Sequence, residues 1–210
     1  SGYYNNEIEL FNTETDLGIG VNLRNIGSKI TYTNEAERDF IPINFGLGSY
    51  LNFKLDEYNE LAVLVDFNKL LVPTPPRYVT DSFGNPVYNQ SGNLKVRDGY
   101  HSDVPVMQGV IQSFYDAPGG FKEELREIKP SIGLEYWYDE QFALRTGYFY
   151  EHEQKGDRQY LTVGAGIRYN VLGLDVAYLI STNNEPGETS PLANTIRISL
   201  SLELNSKDEG

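Results

Sequence analysis

The sequence predicts an all-β fold, a transmembrane antiparallel up-and-down β-barrel with one long, partly helical insertion. Apolar and polar residues alternate in about eight segments. Several segments reach the ~9–11 residues that a tilted membrane-crossing strand needs, whereas strands of globular proteins cluster near ~5–6. The 16 Tyr and 10 Phe favour strands, and 20 Gly and 10 Pro supply turns. We expect residues 1–210 to form a single domain.

Composition and charge exclude several other classes of protein. The 210-residue chain has a formal charge of -13, which opposes binding to a nucleic-acid backbone, so we expect no nucleic-acid partner. It contains no Cys and two His, which argues against disulfides, thiol chemistry and a zinc site. No stretch approaches the ~18 consecutive apolar residues of a membrane helix. The mean hydropathy of -0.44 is compatible with a barrel, because polar lumen residues dilute the apolar ones.

Eight strands are predicted from alternation. Within each, the apolar residues share one parity and therefore one face. Before residue 69 these sets are Leu17, Ile19, Val21 and Leu23; Ile41, Ile43, Phe45, Leu47, Leu51 and Phe53; and Leu61, Val63, Val65 and Phe67. After residue 130 they are Ile132, Leu134 and Tyr136; Phe142, Leu144, Tyr148 and Tyr150; Leu161, Val163, Ala165, Ile167 and Tyr169; Leu172, Leu174, Val176, Tyr178 and Ile180; and Ile196, Ile198, Leu200, Leu202 and Leu204.

The connections between these strands differ in length. Short turns at residues 138–141 and 170–173 contrast with longer polar loops at residues 25–40, 151–159 and 181–194. This pattern predicts sequential hairpins whose short turns lie on one side of a membrane.

Residues 73–127 interrupt the alternation. The segment opens with PTPP at residues 73–76, which favours extended backbone. Val106, Val110, Ile111 and Phe114 then recur at helical spacing, and residues 121–128 predict a second short helix. Insertions of this length are usually functional or disordered. An exposed loop without a specific role is the alternative interpretation.

The two faces of the predicted strands differ in chemistry. Aromatic residues end several strands, as in the interfacial girdles of membrane barrels, although cross-strand packing in a soluble sheet gives the same pattern. The parity opposite the apolar residues carries charges, which we expect to form ion pairs in a wet or plugged lumen. They are Arg24, Glu135, Arg145, Arg168, Asp175 and Arg197. Binding of an anionic substrate is the alternative role for these residues.

No catalytic or metal-binding constellation stands out. The neighbouring carboxylates at residues 123–124 and 139–140 have no evident reason for a shifted pKa. His101 and His152 lie in polar loop sequence, where a solvated side chain is expected. The nucleophile-elbow motif of serine hydrolases does not occur. We therefore expect no enzyme activity, no cofactor and no metal.

Five segments together carry a family resemblance. They are GVNLRNIGSKI (residues 20–30), NKLLVPTPP (68–76), SFYDAPGGF (113–121), EYWY (135–138) and PLANTIR (191–197). In this order they resemble the PorV (LptO) family, outer-membrane barrels of the type IX secretion system in Bacteroidetes. The resemblance covers nearly the whole chain. It implies a FadL-like barrel of about fourteen strands, of which this sequence resembles the C-terminal part.

The resemblance also implies a function. It describes a non-catalytic outer-membrane component that binds the C-terminal signal domains of secreted cargo proteins. Such a component shuttles cargo from a SprA-like translocon to a PorU-like, sortase-containing attachment complex on the cell surface. The lipid bilayer is the other expected partner.

The insertion at residues 73–127, expected on the extracellular side, is the candidate surface for cargo or partner proteins. Pro-rich backbone loses little conformational entropy on binding, and exposed aromatic residues serve as anchors. The candidate contact residues are Pro73, Pro75, Pro76, Phe114, Tyr115, Asp116, Gly119, Gly120 and Phe121.

Two other functions stay open on the sequence alone. A FadL-like channel would pass a hydrophobic small molecule through the lumen, although the charged lumen parity disfavours it. A soluble eight-stranded ligand-binding barrel would remain monomeric without detergent.

Overall fold

One antiparallel sheet dominates the computed structural model, which describes residues 1–31, 38–183 and 194–202. The strands are β1 (Gly2–Leu10), β2 (Thr13–Arg24), β3 (Asn44–Lys54), β4 (Asn59–Leu70), β5 (Arg77–Tyr78), β6 (Val96–Asp98), β7 (Ile128–Tyr138), β8 (Phe142–Tyr150), β9 (Gln159–Tyr169), β10 (Leu172–Ser181) and β11 (Thr195–Leu202). Nine of them pair in the order β1-β2-β3-β4-β7-β8-β9-β10-β11, and β5 pairs with β6. Sequential hairpins therefore build the large sheet.

The helical elements are short. They are α1 (Val106–Gln112), α2 (Phe121–Arg126) and a 3-10 helix (Glu153–Lys155). Helices α1 and α2 lie where helical spacing was predicted. Among the described residues, no helix combines the length and apolar character needed to cross a membrane.

The short turns fit their hairpins. Tyr138 pairs with Phe142, and two of the three residues between them, Asp139 and Glu140, have φ of 51°. Two consecutive left-handed residues give the turn whose twist matches antiparallel strands. The eight predicted strands correspond to β2–β4 and β7–β11. Leu204 lies outside the described residues, as do residues 32–37 and 184–193 of the predicted loops.

Strand β1 was not predicted, so the sheet has nine strands in place of the expected eight or so. Its apolar parity is interrupted by Asn6, which weakens the alternation. The turn to β2 uses Phe11 and Asn12 at φ of 55° and 59°, and it contains no Gly to announce it. A bulky residue in the left-handed region is uncommon, so the sequence pattern does not indicate this turn.

The chain divides into two compact units. The strand unit comprises Ser1–Val21, Leu47–Phe67 and Lys129–Gly210, and the loop unit comprises Asn22–Gly46 and Asn68–Ile128.

In the strand unit, one face of the sheet is apolar and solvent-accessible. Its exposed side chains are Ile19, Val21, Leu47, Ile132, Leu134, Tyr138, Phe142, Leu144, Val163, Ile167, Tyr169, Leu172, Leu174, Val176, Tyr178, Ile196, Ile198, Leu200 and Leu202. Apart from Gly and Pro, only six apolar residues are buried in the described part of the chain: Ile43, Ala62, Leu71, Ala117, Ala143 and Tyr160. An apolar surface this extensive is not typical of a soluble monomer.

The loop unit contains an eight-residue repeat that was not predicted. VTDSFGNP (residues 79–86) is followed directly by VYNQSGNL (residues 87–94). In both copies the third side chain, Asp81 or Asn89, accepts two backbone N–H groups of its own turn. Backbone bonds close a ring around the repeats: Val79 donates to Lys95, Val87 to Val79, and Lys95 to Val87, at 2.8–2.9 Å. The V-x-D/N-x-x-G-N spacing was the signal available in the sequence.

Candidate functional site

Four of the predicted lumen charges meet on the face of the strand unit opposite the apolar one. Arg145 on β8 donates through Nε to Glu135 on β7 and through Nη1 to Asp175 Oδ1 on β10, the latter at 2.6 Å. Arg168 on β9 donates through Nη2 to Asp175 Oδ2 at 2.9 Å. Two cations therefore balance two anions across four adjacent strands. We call these four residues the polar network.

Trp137 is part of the same arrangement. The guanidinium carbons of Arg145 and Arg168 lie 5.1 and 5.4 Å from its ring centroid, within cation–π range. Its indole N–H donates to Glu135 Oε1 at 2.7 Å. A cavity of about 620 Å³ opens beside Trp137 and Arg168, and Glu60 and Glu140 also line it. Its charged lining does not resemble an apolar tunnel.

Glycines make the space for the polar network. A Cβ on Gly166 would collide with Asp175 Oδ1 and lie 2.7 Å from Arg145 Nη1. A Cβ on Gly173 would lie 3.0 Å from the Arg168 side chain. These strand glycines thus admit the long arginine side chains.

The other two predicted lumen charges do not join the polar network. Arg24, in the loop unit, donates to Asn68 Oδ1 at 3.2 Å. Arg197 lies on β11 opposite Ala177, with an exposed side chain.

A second charge cluster in the strand unit was not predicted. Lys54 Nζ lies 2.5 Å from Glu14, 3.6 Å from Glu7 and 3.8 Å from Asp16. These residues share the polar parity of β1–β3. The excess of acidic residues in that part of the sequence was the available signal.

The candidate contact residues of the insertion all lie in the loop unit, and they differ in exposure. Pro75, Phe114, Tyr115, Gly119, Gly120 and Phe121 are exposed. Pro73, Pro76 and Asp116 are buried. Tyr115 contacts Tyr100 edge to face, with ring centroids 5.5 Å apart. The exposed members are the ones available to a partner.

Asp116 is a buried carboxylate that accepts hydrogen bonds within the loop unit. It has no exposed surface, and its Oδ2 accepts the Thr74 backbone N–H at 3.0 Å and Gln112 Nε2 at 3.3 Å. Its Oδ1 has no hydrogen-bond partner among the described residues. Burial raises the pKa of Asp116, the two donors oppose that rise, and the negative charges of Glu124 and Glu127 add to it.

Lys69 links β4 to α2 within the loop unit. Its Nζ lies 3.1 Å from Glu124 Oε2 and 2.6 Å from Glu127 Oε2, and all three side chains are almost fully buried. Glu124 also accepts the Ala117 N–H at 2.7 Å, and Glu127 accepts the Thr74 hydroxyl at 2.7 Å. Lys69, Asp116, Glu124 and Glu127 form what we call the carboxylate cluster.

The loop between β8 and β9 is organised by Glu151. This buried carboxylate accepts Lys129 at 2.7 Å and both Nε and Nη2 of Arg158, at 2.5 and 3.0 Å. Burial alone would raise the pKa of Glu151, but the hydrogen bonds from Arg158 and Lys129 outweigh burial and lower it.

A family model matches part of the chain. No curated protein matches the chain significantly. Residues 1–77 match the family model described as type IX secretion system protein PorV. The matched residues include strands β1–β4 and the first residues of the predicted insertion. The family resemblance predicted from the sequence is therefore confirmed over residues 1–77, which are similar to PorV of the type IX secretion system.

Proposed function

We propose that this chain is part of an outer-membrane β-barrel that binds the C-terminal signal domains of secreted proteins and carries them from translocon to attachment complex. The observation that carries the proposal is the division of the strand-unit sheet into an exposed apolar face and a face with paired charges. Lipid accepts the first face, and an enclosed aqueous or plugged lumen accepts the second.

The polar network favours this function over a channel for hydrophobic molecules. An apolar solute passing along that face would have to approach Arg145, Glu135 and Asp175 without replacing their hydrogen bonds or hydration. The balanced pairing of these groups instead suits a rigid anchor. A carrier that exchanges partners needs such an anchor more than it needs an open pore.

Cargo contact is assigned to the insertion, since the loop unit presents aromatic residues next to backbone of low conformational freedom. Tyr115 is held by Tyr100, and exposed Pro75 and Gly119–Gly120 belong to the same candidate set. Phe114 and Phe121 border this surface. Buried Pro73, Pro76 and Asp116 support it from within, because they have little or no surface to offer.

Affinity purification from the native membrane tests the function. We expect translocon and attachment components to co-purify together with cargo carrying the C-terminal signal domain. Recovery of the assembled protein without any of these chains would contradict the carrier function and favour a transporter.

A pair of tyrosine variants tests the cargo surface. Tyr115→Ala should reduce cargo recovery by about tenfold, the effect of losing one aromatic anchor. Tyr88→Ala removes an aromatic side chain of similar exposure from the repeat segment and should leave recovery unchanged. Equal recovery with both variants would remove Tyr115 from the contact surface.

A further inference from the structure

Helices α1 and α2 have inverted polarity. The buried residues of α1 are Gly109 and Gln112, and the buried residue of α2 is Glu124. Outward, the two helices and the turn after α1 present five large apolar side chains that are 51–76% exposed: Met107, Ile111, Phe114, Phe121 and Leu125. A helix packed on a protein in water normally turns its apolar side inward.

The inward polar groups are satisfied, so the inversion is a consistent arrangement of the loop unit. Gln112 donates to the His101 carbonyl at 2.9 Å, and Ser113 donates to the Val110 carbonyl at 2.8 Å. Gly109 lets Phe40 and Pro73 approach the helix closely. Turning α1 over would break these contacts and expose the polar groups.

The outward side of these helices contains no carboxylate. Residues 104–115 have no charged side chain at all. In α2, Glu123 accepts the Gly119 N–H at 2.7 Å and Glu124 binds Lys69, so both acids point toward the protein. Lys122 is exposed beside Phe121. In a chain with 30 acidic and 17 basic residues, an acid-free apolar surface with a lysine is a clear departure from the average.

We propose that this helix patch, namely Met107, Ile111, Phe114, Phe121, Leu125 and Lys122, lies in the interface of the lipid bilayer. Its apolar side chains enter the region below the headgroups, and Lys122 binds lipid phosphate. Interfacial helices combine an apolar face with basic residues in this way. A protein partner would instead favour a rim of mixed polar and charged groups around the apolar centre.

The inference rests on the proposed membrane location and goes beyond the cargo role. In this proposal Phe114 and Phe121 contact lipid. The candidate cargo-contact residues that remain are Pro75, Tyr115, Gly119 and Gly120. Leu23, in the same unit, continues the apolar parity of β2 and is also exposed, as a lipid-facing surface requires.

Single-cysteine labelling tests the proposal, because the chain contains no Cys. A fluorophore is placed at Ile111→Cys or Leu125→Cys in the full protein, reconstituted in bilayers of phosphatidylglycerol and phosphatidylcholine with nitroxide-labelled lipids. Leu144→Cys, on the apolar face of β8, is the membrane control, and Phe83→Cys, in the repeat segment, is the aqueous control. We expect lipid nitroxides near the headgroup to quench the fluorophores at positions 111 and 125. Aqueous iodide should quench only the fluorophore at position 83.

The controls separate the possible failures. If lipid nitroxides quench the fluorophore at position 144 but not those at positions 111 and 125, the membrane contact of the helix patch is wrong. The proposed membrane function would be unaffected. Iodide protection that appears only when cargo or translocon is added would overturn it in favour of protein docking. A failure to quench Leu144 would overturn the membrane function and the patch together.

The role of Lys122 has its own measurement. Lys122→Glu should lose most of the headgroup quenching at Leu125, and Lys122→Arg should retain it. Substituting neutral lipid for phosphatidylglycerol should reproduce the loss in the unchanged protein. If neither Lys122→Glu nor the replacement of phosphatidylglycerol changed the quenching at position 125, Lys122 would not bind lipid phosphate.

Discussion

The polar network of the strand unit and the carboxylate cluster of the loop unit hold charge in different ways. In the polar network two guanidinium groups face two carboxylates, and the side chains remain 27–29% exposed. In the carboxylate cluster one ammonium faces two glutamates at side-chain exposures of 8–11%, with fully buried Asp116 beside them. The first contains equal numbers of cations and carboxylates, whereas the second contains more carboxylates than cations.

Because of this difference, we expect the loss of one charged side chain to destabilise the two groups to different extents. Water screens and relaxes around the polar network, so removing one member should have an intermediate cost. The carboxylate cluster has little access to water, so removing its cation leaves uncompensated buried charge. The excess of carboxylates also favours keeping one proton in the cluster, in agreement with the raised pKa of Asp116.

The largest effect is expected from Lys69→Met. It should destabilise the loop unit by about 3–5 kcal/mol, the usual cost of breaking a buried ion pair from one side. Hydrogen exchange of the α2 amides measures this local opening. Lys95→Met, which changes an exposed lysine of the same unit, should have almost no effect. Similar exchange in both variants would show that Lys69 does not hold α2.

Arg145→Met should have a smaller effect on the strand unit. We expect a loss of about 2 kcal/mol, between the values typical of buried and of exposed pairs, because Glu135 and Asp175 both lose a donor. Urea unfolding in lipid vesicles measures it. Thr146→Val, the next residue on the opposite face, is the matched control. An unchanged midpoint for Arg145→Met would mean that the polar network does not stabilise the sheet.

Two glycine substitutions test whether the polar network depends on the space that a strand glycine leaves. Gly166→Ala should cost about 1–2 kcal/mol, since the new methyl group collides with Asp175 and Arg145. Gly133→Ala should be neutral or slightly stabilising, because its Cβ would meet Leu64 at an ordinary 3.7 Å. The same vesicle unfolding assay compares them. The opposite order of stability would contradict the space assigned to the arginine side chains.

The smallest effects concern pH, and their signs differ between the units. The raised pKa of Asp116 gives the loop unit stability that is complete below the unfolded pKa of about 3.9 and is lost as pH rises through the folded pKa. The lowered pKa of Glu151 stabilises the β8–β9 loop above its unfolded value of about 4.3, and this stability is lost as pH falls through the folded pKa.

Hydrogen exchange, corrected for intrinsic rates, measures both trends in one titration. Acid should protect the backbone around Asp116 and expose residues 151–158. Asp116→Asn and Glu151→Gln should each flatten the trend of their own segment alone. Parallel trends in the two segments would contradict the assigned causes.

The strands, and the pairing of four charged residues on one face of the sheet, could be predicted because a sheet has a simple period. Once alternation places Glu135, Arg145, Arg168 and Asp175 on one face, adjacent strands bring them within reach of one another. Strand β1 was not predicted because Asn6 interrupts its apolar parity. In addition, Phe11 occupies a turn position that usually favours Gly or Asn. Local pattern therefore predicts face better than it predicts turns.

The insertion was less predictable for a physical reason. Helical spacing indicated α1 and α2, but it could not indicate that Gln112 and Glu124 point inward while Ile111 and Leu125 point outward. That orientation depends on partners distant in sequence, such as Lys69 and the His101 carbonyl. Asp116 was likewise expected at a contact surface, and its burial depends on the same long-range packing.

The single tryptophan of the chain lies close to two guanidinium groups, and this gives the protein a built-in optical reporter. Light absorbed selectively by indole is emitted from one position only, so the signal comes from the immediate neighbourhood of Arg145 and Arg168. Its colour and lifetime would record any molecule or chain segment that reaches this face, with no label attached. The approach of a binding partner to this face could thus be followed in real time through Trp137.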